Sequence, residues 1–451
     1  MFMNNTANQN YELEKAIISA TEAIKKNPED ISAYLNRAVA YIQKNDYDQA
    51  IQDLSKAIEL DPENADAYLN RGIAYYTKVD YDHAIQDYSK SIELDPQNAD
   101  AYFLRGLAYS KIDDYDHAIK DYSKSIELNP QNADAYLNRG IDYGEQGDLN
   151  QVVQDYTKAI ELKSDDIDLY LKRGSTYNEL ENYFEAIKDF TKVIESNPDH
   201  IIAYNERGTA YANIGEYDKA IKDYTIAITN YSDNPVFYFN RGVAYSDNGN
   251  FDKAIKDFAT AIKIKSDFIE AYSGSGEAYF SKGDTKRAIK DYKKVIDLDP
   301  ENTHAYFRIG TMYFCEGKIN KSEDALTKTL ELNPEHASAL LNRGAIYLSI
   351  GKHDKALKDF SQMIRIDPND EMGHFNRGVT YHCIGKYDEA ISDLTKAIEL
   401  YPEDSAAFCN RGLVYSDIGD IQHARLDFQK AIELGDEEAK EYLEKLDNMS
   451  Q

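Results

Sequence analysis

Apolar positions recur along this chain as two helical stripes separated by a break, and the pair returns every 34 residues. Within one period they fall at places 4, 8 and 11 and again at 17, 20, 24 and 27, the three-and-four spacing of one helix face written twice. Gly at place 15 in eight periods breaks the two stripes. Pro at place 32 ends the second, because a helix interior tolerates neither its missing N–H nor its ring. Repeats begin at 31, 65, 99, 133, 167, 201, 235, 269, 303, 337, 371 and 405 without insertion or deletion, so residues 31–438 form twelve helical hairpins. Tyr fills place 11 in all twelve, Ala fills place 20 in ten, and Gly fills place 8 in eleven, Ala38 being the exception.

The stretch ADAYLNRGIAY at 65–75, with its copies ADAYFLRGLAY at 99 and ADAYLNRGIDY at 133, carries this pattern most plainly. A large residue at place 4, a small one at 8, an aromatic at 11, small residues at 20 and 27 and Pro at 32 resemble the tetratricopeptide repeat family over about nine tenths of the chain. The resemblance implies an all-α fold, a right-handed α-solenoid of helix-turn-helix repeats with the first helix of each lining a concave face. It implies more than one superhelical turn. Gly at place 8 is expected to let the neighbouring helix approach with its small place-20 residue. Residues 1–30 read as a polar leader and an N-terminal half-repeat helix at 11–27, with Ala16, Ala23 and Pro28 at places 20, 27 and 32. Residues 439–451 read as a C-terminal capping helix and tail, a charged helix over 437–447 covering the last hairpin.

Place 7 is Arg in ten repeats: Arg37, Arg71, Arg105, Arg139, Arg173, Arg207, Arg241, Arg343, Arg377 and Arg411. The family more often has Leu there. Place 23 is Asp in eleven repeats, and its one exception, Ala325, lies in the repeat that has Ile309 at place 7. Pairing Arg with Asp inside a repeat leaves one mismatch, Ser275 with Asp291, whereas pairing each Asp with the next repeat's Arg leaves three. Ten bidentate, partly buried ion pairs within hairpins follow, and ten copies argue for structure rather than catalysis.

Places 2, 5, 6, 9, 12 and 13 share another stripe of the first helix, which by the family resemblance faces the concave groove. Place 6 is Asn in seven repeats: Asn36, Asn70, Asn138, Asn240, Asn342, Asn376 and Asn410. Asn forms helices poorly, while its amide offers donors and an acceptor to the backbone of an extended peptide of any sequence. The row resembles the asparagine ladders of the O-GlcNAc transferase superhelical domain and of importin grooves, which implies peptide binding by these seven residues. Solvation of an exposed helix, or copying of a duplicated repeat, would produce the same row. Leu or Phe at place 5 in nine repeats reads first as core and second as pockets beside the ladder. The clamp by which family members hold a chaperone's C-terminal carboxylate needs Lys at place 5 and Asn at place 9, and neither occurs.

The repeats at 269 and 303 depart furthest, with Gly274 and Gly276 in one helix, so residues 269–336 are a hinge or plain drift. A net charge of −29 disfavours nucleic acid and anionic membranes and favours neutral or basic partners. Three cysteines, scattered histidines and the absence of metal-ligand, P-loop or dinucleotide spacing imply no cofactor, no metal and no catalytic residue. His382 beside Cys383, with Cys315 two repeats away, is a coincidence of spacing. No stretch approaches a membrane span and the start lacks the form of a secretory signal, so a cytoplasmic monomer is expected. Two functions stand: a non-catalytic scaffold that binds an extended peptide or partner protein in its groove, or a substrate-recruiting or regulatory arm of an enzyme whose catalytic part is another polypeptide.

Overall fold

The computed structural model describes residues 2–449, with side chains described from Asn10 to Asp447. Among them are 26 α-helices in tandem and no strand. They form an α-solenoid divided into two compact bodies, Met1–Ser232 and Asp233–Gln451. Each body contains six hairpins of a 13-residue helix A and a helix B of 14 residues, as in Ala65–Thr77 with Tyr81–Leu94, the last helix B alone being shorter at Ile421–Glu433.

The boundaries follow from capping chemistry. Asn64, Asn98 and Asn132 accept at Oδ1 from the backbone N–H three residues on and so open helix A. Asp46, Asp80 and Asp148 do the same for helix B. Place 15 lies in the left-handed region in all twelve repeats, at φ 59–82°. Gly suits that conformation in eight, whereas Asn45, Val79, Asp113 and Glu181 adopt it with a side chain.

Successive A helices touch one another along much of each body, and no two successive B helices do so to the same extent. Each body therefore curves with helix A inside.

The glycine at place 8 has a different packing reason from the one expected. A Cβ on Gly174 would stand 2.8 Å from the Phe190 ring, and one on Gly72 would stand 2.6 Å from Tyr88. The close neighbour is the large residue at place 24 of the same repeat, not the alanine at place 20. That ring lies across helix A, and a methyl group would collide with its edge. Ala38 tolerates its Cβ opposite Leu54. Gly274 follows the same rule across repeats, since its Cβ would meet Phe258 at 2.8 Å while Gly276 meets Tyr292. Both glycines sit within one continuous helix, Ile269–Ser281, and are required by close approach. Place 5 belongs largely to the core, as Phe103 and Phe239 each pack on the place-24 ring of their own repeat with centroids 5.9 Å apart.

At the N-terminal end one helix runs Phe2–Lys26, so the segment read as a polar leader continues the helix that follows it. At the other end the helix is Glu438–Met449, and Asp436 caps it by accepting from the N–H of Ala439. This is the offset of Asn64 to Ala67, so the final helix enters two residues early for the 34-residue period. Ala439 and Leu446 thereby take the buried places 3 and 10, while Lys440, Glu444 and Asp447 face solvent at places 4, 8 and 11. A charged outer face covers the last hairpin without offering a seat to another helix B.

Candidate functional site

Two rows of side chains run along helix A, one inward and one on its open face. The inward row is built on Arg. In all ten Arg repeats Nε and Nη2 donate to the two carboxylate oxygens of the Asp sixteen residues on, at 2.6–2.9 Å. The pairs expected within each repeat are present in every one. In the odd repeat Ser275 replaces Arg and its Oγ donates to Asp291 at 2.6 Å.

A third member of this row was not read from the sequence. In repeats 1–6 and 10–12 the remaining Nη1 donates to a Ser or Thr hydroxyl on the preceding helix B, as in Arg139 to Ser123 at 2.9 Å and Arg343 to Thr327 at 3.1 Å. That residue occupies place 25, and the signal was present: Ala259 and Lys293 stand at place 25 ahead of Ser275 and Ile309, where no Arg follows. Each guanidinium also lies near aromatic rings on its own helix, Arg139 being 5.7 Å from the Tyr136 centroid and 6.0 Å from Tyr143. Burial alone would lower the Arg139 pKa, but the hydrogen bonds and charge of Asp155 reverse this and raise it above the ordinary arginine value. With its donors committed to the scaffold, Arg139 holds one helix A to its helix B and to the repeat before.

Asp142 departs from this order. It takes place 10, where six repeats have a buried Ala, and is 1% exposed. Ten other buried aspartates hold a guanidinium, but Asp142 Oδ1 accepts only from Ser110 Oγ at 2.8 Å and its Oδ2 has no partner. Burial raises its pKa to about 6, with Ser110 and Lys111 opposing and Glu145 adding to the rise.

The open row contains the seven asparagines. Asn36 is exposed, and Asn70, Asn138, Asn240, Asn342, Asn376 and Asn410 are half-buried. In four of them Nδ2 donates to the main-chain carbonyl one turn back: Asn70 to Asp66 at 2.8 Å, Asn138 to Asp134 at 2.8 Å, Asn376 to Met372 at 2.8 Å and Asn410 to Ala406 at 2.9 Å. One amide N–H of each is thereby tied to its own helix. Where the row is interrupted at Arg308, Nη2 pairs with Glu277 at 2.6 Å and Tyr292 donates to the same carboxylate. Among the described residues no group of three His, Cys, Asp or Glu is placed to hold a metal, and no helix is long and apolar enough to cross a membrane. His382 Nε2 lies 2.8 Å from Asp417, while Cys383 is exposed beside it.

Family models described as tetratricopeptide repeat match residues 20–52, 99–132, 133–166, 171–235, 235–268, 303–336, 337–370, 372–404 and 405–434. A model described as TPR repeat matches 40–79, 80–113 and 276–317. No curated protein matches the chain. Solved structures similar to it include the anaphase-promoting complex hetero-tetramer Cut9–Hcn1, at 15% identity and TM-score 0.40 over 98% of this chain and 94% of that one. Yeast Tom70 is similar at 18% identity and TM-score 0.39, over 93% of this chain and 96% of that one. YrrB, described as a TPR protein with an unusual peptide-binding site, is similar at 26% identity and TM-score 0.37, over 41% of this chain and 95% of that one.

Proposed function

We propose that this chain, which belongs to the tetratricopeptide repeat family and is a protein–protein interaction scaffold, binds an extended stretch of polypeptide along the face of its A helices. The observation that carries the reading is the tethered amide. Asn70, Asn138, Asn376 and Asn410 each spend one donor on their own helix and keep an acceptor and a donor for a partner. An extended chain has unsatisfied C=O and N–H groups to meet them, whereas a helix has used its own. Fixing the amide beforehand lowers the rotamer entropy lost on binding. The partner is neutral or basic, since a chain of net charge −29 repels acidic ones. The protein acts as a monomer in this reading. It has no catalytic step of its own in this reading.

The test is quantitative affinity capture from the source lysate with the wild-type protein and with a variant carrying Ala at all seven asparagines, after both are shown to melt alike. Partners lost from the Ala variant alone support binding along helix A. Partners retained equally by both overturn it.

A further inference from the structure

Repeats 10–12 are the longest run of consecutive repeats whose A-helix stripe is nearly free of charge. With the core place 5 left aside, places 2, 6, 9, 12 and 13 in these three repeats make fifteen positions, and the only carboxylate or ammonium among them is Asp417, which His382 contacts at 2.8 Å. In a chain that is 29% charged with a net charge of −29, such a stretch is a distinct surface. Repeats 2–5, by contrast, present Asp66, Asp100, Asp134 and Asp168 to solvent at place 2. The same three repeats carry three consecutive ladder residues, Asn342, Asn376 and Asn410. Large apolar side chains stand open around them: Met372 is 44% exposed, and Phe314 at the near edge is 44% exposed. Val379 and Leu413 at place 9 are half-buried beside the amides. The Glu277–Arg308 pair belongs to the two repeats before this surface, and the His382–Asp417 contact lies within it.

We infer that the A-helix face of repeats 10–12 is the seat of an extended, uncharged peptide segment rich in apolar side chains. This rests on the reading of the asparagine row as a peptide-binding surface and goes further by assigning a segment and a chemistry. A charged ligand side chain would lose hydration over this surface without meeting a counter-charge, which is costly. An apolar one covers exposed Met372 and Phe314, and the gain is proportional to the area removed from water. The amides contribute register along the ligand backbone without reading its side chains, so the absence of charge supplies the selection.

The experiment measures fluorescence anisotropy of three labelled peptides of about twelve residues, about 40 Å when extended. One alternates Val with Ser, and the others replace every Ser by Lys or by Glu. The wild-type protein should bind the Val/Ser peptide and bind the Lys and Glu peptides at least about tenfold more weakly. Loss of three amide contacts in Asn342→Ala/Asn376→Ala/Asn410→Ala should weaken the Val/Ser peptide about tenfold or more. Met372→Lys, at an exposed position that does not support the fold, should weaken it as well and restore relative affinity for the Glu peptide. Equal Val/Ser affinity in wild type and both variants, or no measurable binding of that peptide, overturns the inference. Preference for the Lys peptide, lost only in Asn36→Ala/Asn70→Ala/Asn138→Ala, overturns it while leaving the ladder reading standing. Binding that neither alanine set alters overturns both.

Discussion

Arg139 and Asp155, sixteen residues apart, face each other through two parallel hydrogen bonds, Nε to Oδ2 at 2.8 Å and Nη2 to Oδ1 at 2.7 Å, and the third arm of the guanidinium reaches back to Ser123. Asp155 is buried and Arg139 is only 18% exposed, so removing the carboxylate leaves a largely buried guanidinium without its counter-charge. Asp155→Ala should therefore lower stability by about 3–5 kcal/mol, read from thermal melting. Repeat 9 shows the alternative, with Ile309 and Ala325 in place of the pair and Ile309 buried. Arg139→Ile/Asp155→Ala should accordingly cost less than Asp155→Ala alone, since an apolar replacement of both partners leaves no buried charge unpaired. A melting midpoint of Asp155→Ala equal to that of the wild type would refute the buried-pair account.

The hydroxyl arm can be separated from the carboxylate. Ser123→Ala leaves the Asp155 fork intact and removes one hydrogen bond to a charged group, for an expected loss of about 1–2 kcal/mol in denaturant unfolding. The loss should be smaller than that of Asp155→Ala. An equal or larger loss would place the hydroxyl, not the ion pair, at the centre of the contact between repeats.

Val79 occupies the left-handed turn position at φ 65° and is 68% exposed. A β-branched side chain is strained there and gains little from packing. Val79→Gly should raise stability by about 1 kcal/mol, against the usual direction for introducing glycine. A fall in the melting midpoint would show that the turn does not strain its side chain.

Asp142 gives a pH dependence of known sign. Its folded pKa of about 6 lies above the ordinary aspartate value of 3.8, so the folded protein holds the proton more tightly than the unfolded chain. The carboxyl is tolerated at low pH, and stability is lost as pH rises through about 4 to 6, by about 3 kcal/mol at neutrality. Asp142→Ala, which restores the residue of six other repeats, should melt higher than wild type at pH 7 and close to it at pH 4. An advantage that is constant with pH, or absent at pH 7, would contradict an ionised, uncompensated carboxylate.

The repeat, its phase and the ion pairs were legible because errors in the pattern occur together: Ile309 loses its charge in the repeat where Ala325 does. The hydroxyl at place 25 could have been found the same way, from Ala259 and Lys293, but Ser and Thr on a helix surface draw no notice without a partner in view. Spacing showed that place 8 must be small but not what required it, since which ring lies across Gly72 depends on the rotation of helix B about its axis. Turn strain at Val79 was hidden because eight glycines satisfy the same φ silently. The final helix was expected at about its observed place, but its two-residue shift from the 34-residue phase was not, because its cap, Asp436, lies inside the expected last repeat. For the asparagines, the sequence gives their row and the structure their tether to the preceding turn.

The central claim is that partners lie along helix A, and the most direct measurement is where a bound partner cross-links. A photo-crosslinking residue placed in turn at Met372 on helix A and at exposed Ser392 on helix B of the same repeat reports the two faces separately. With the partner retained by the wild-type protein present, the account expects cross-links from position 372 and none above background from 392. Cross-links from 392 alone would contradict it and move the binding face to the outside of the solenoid.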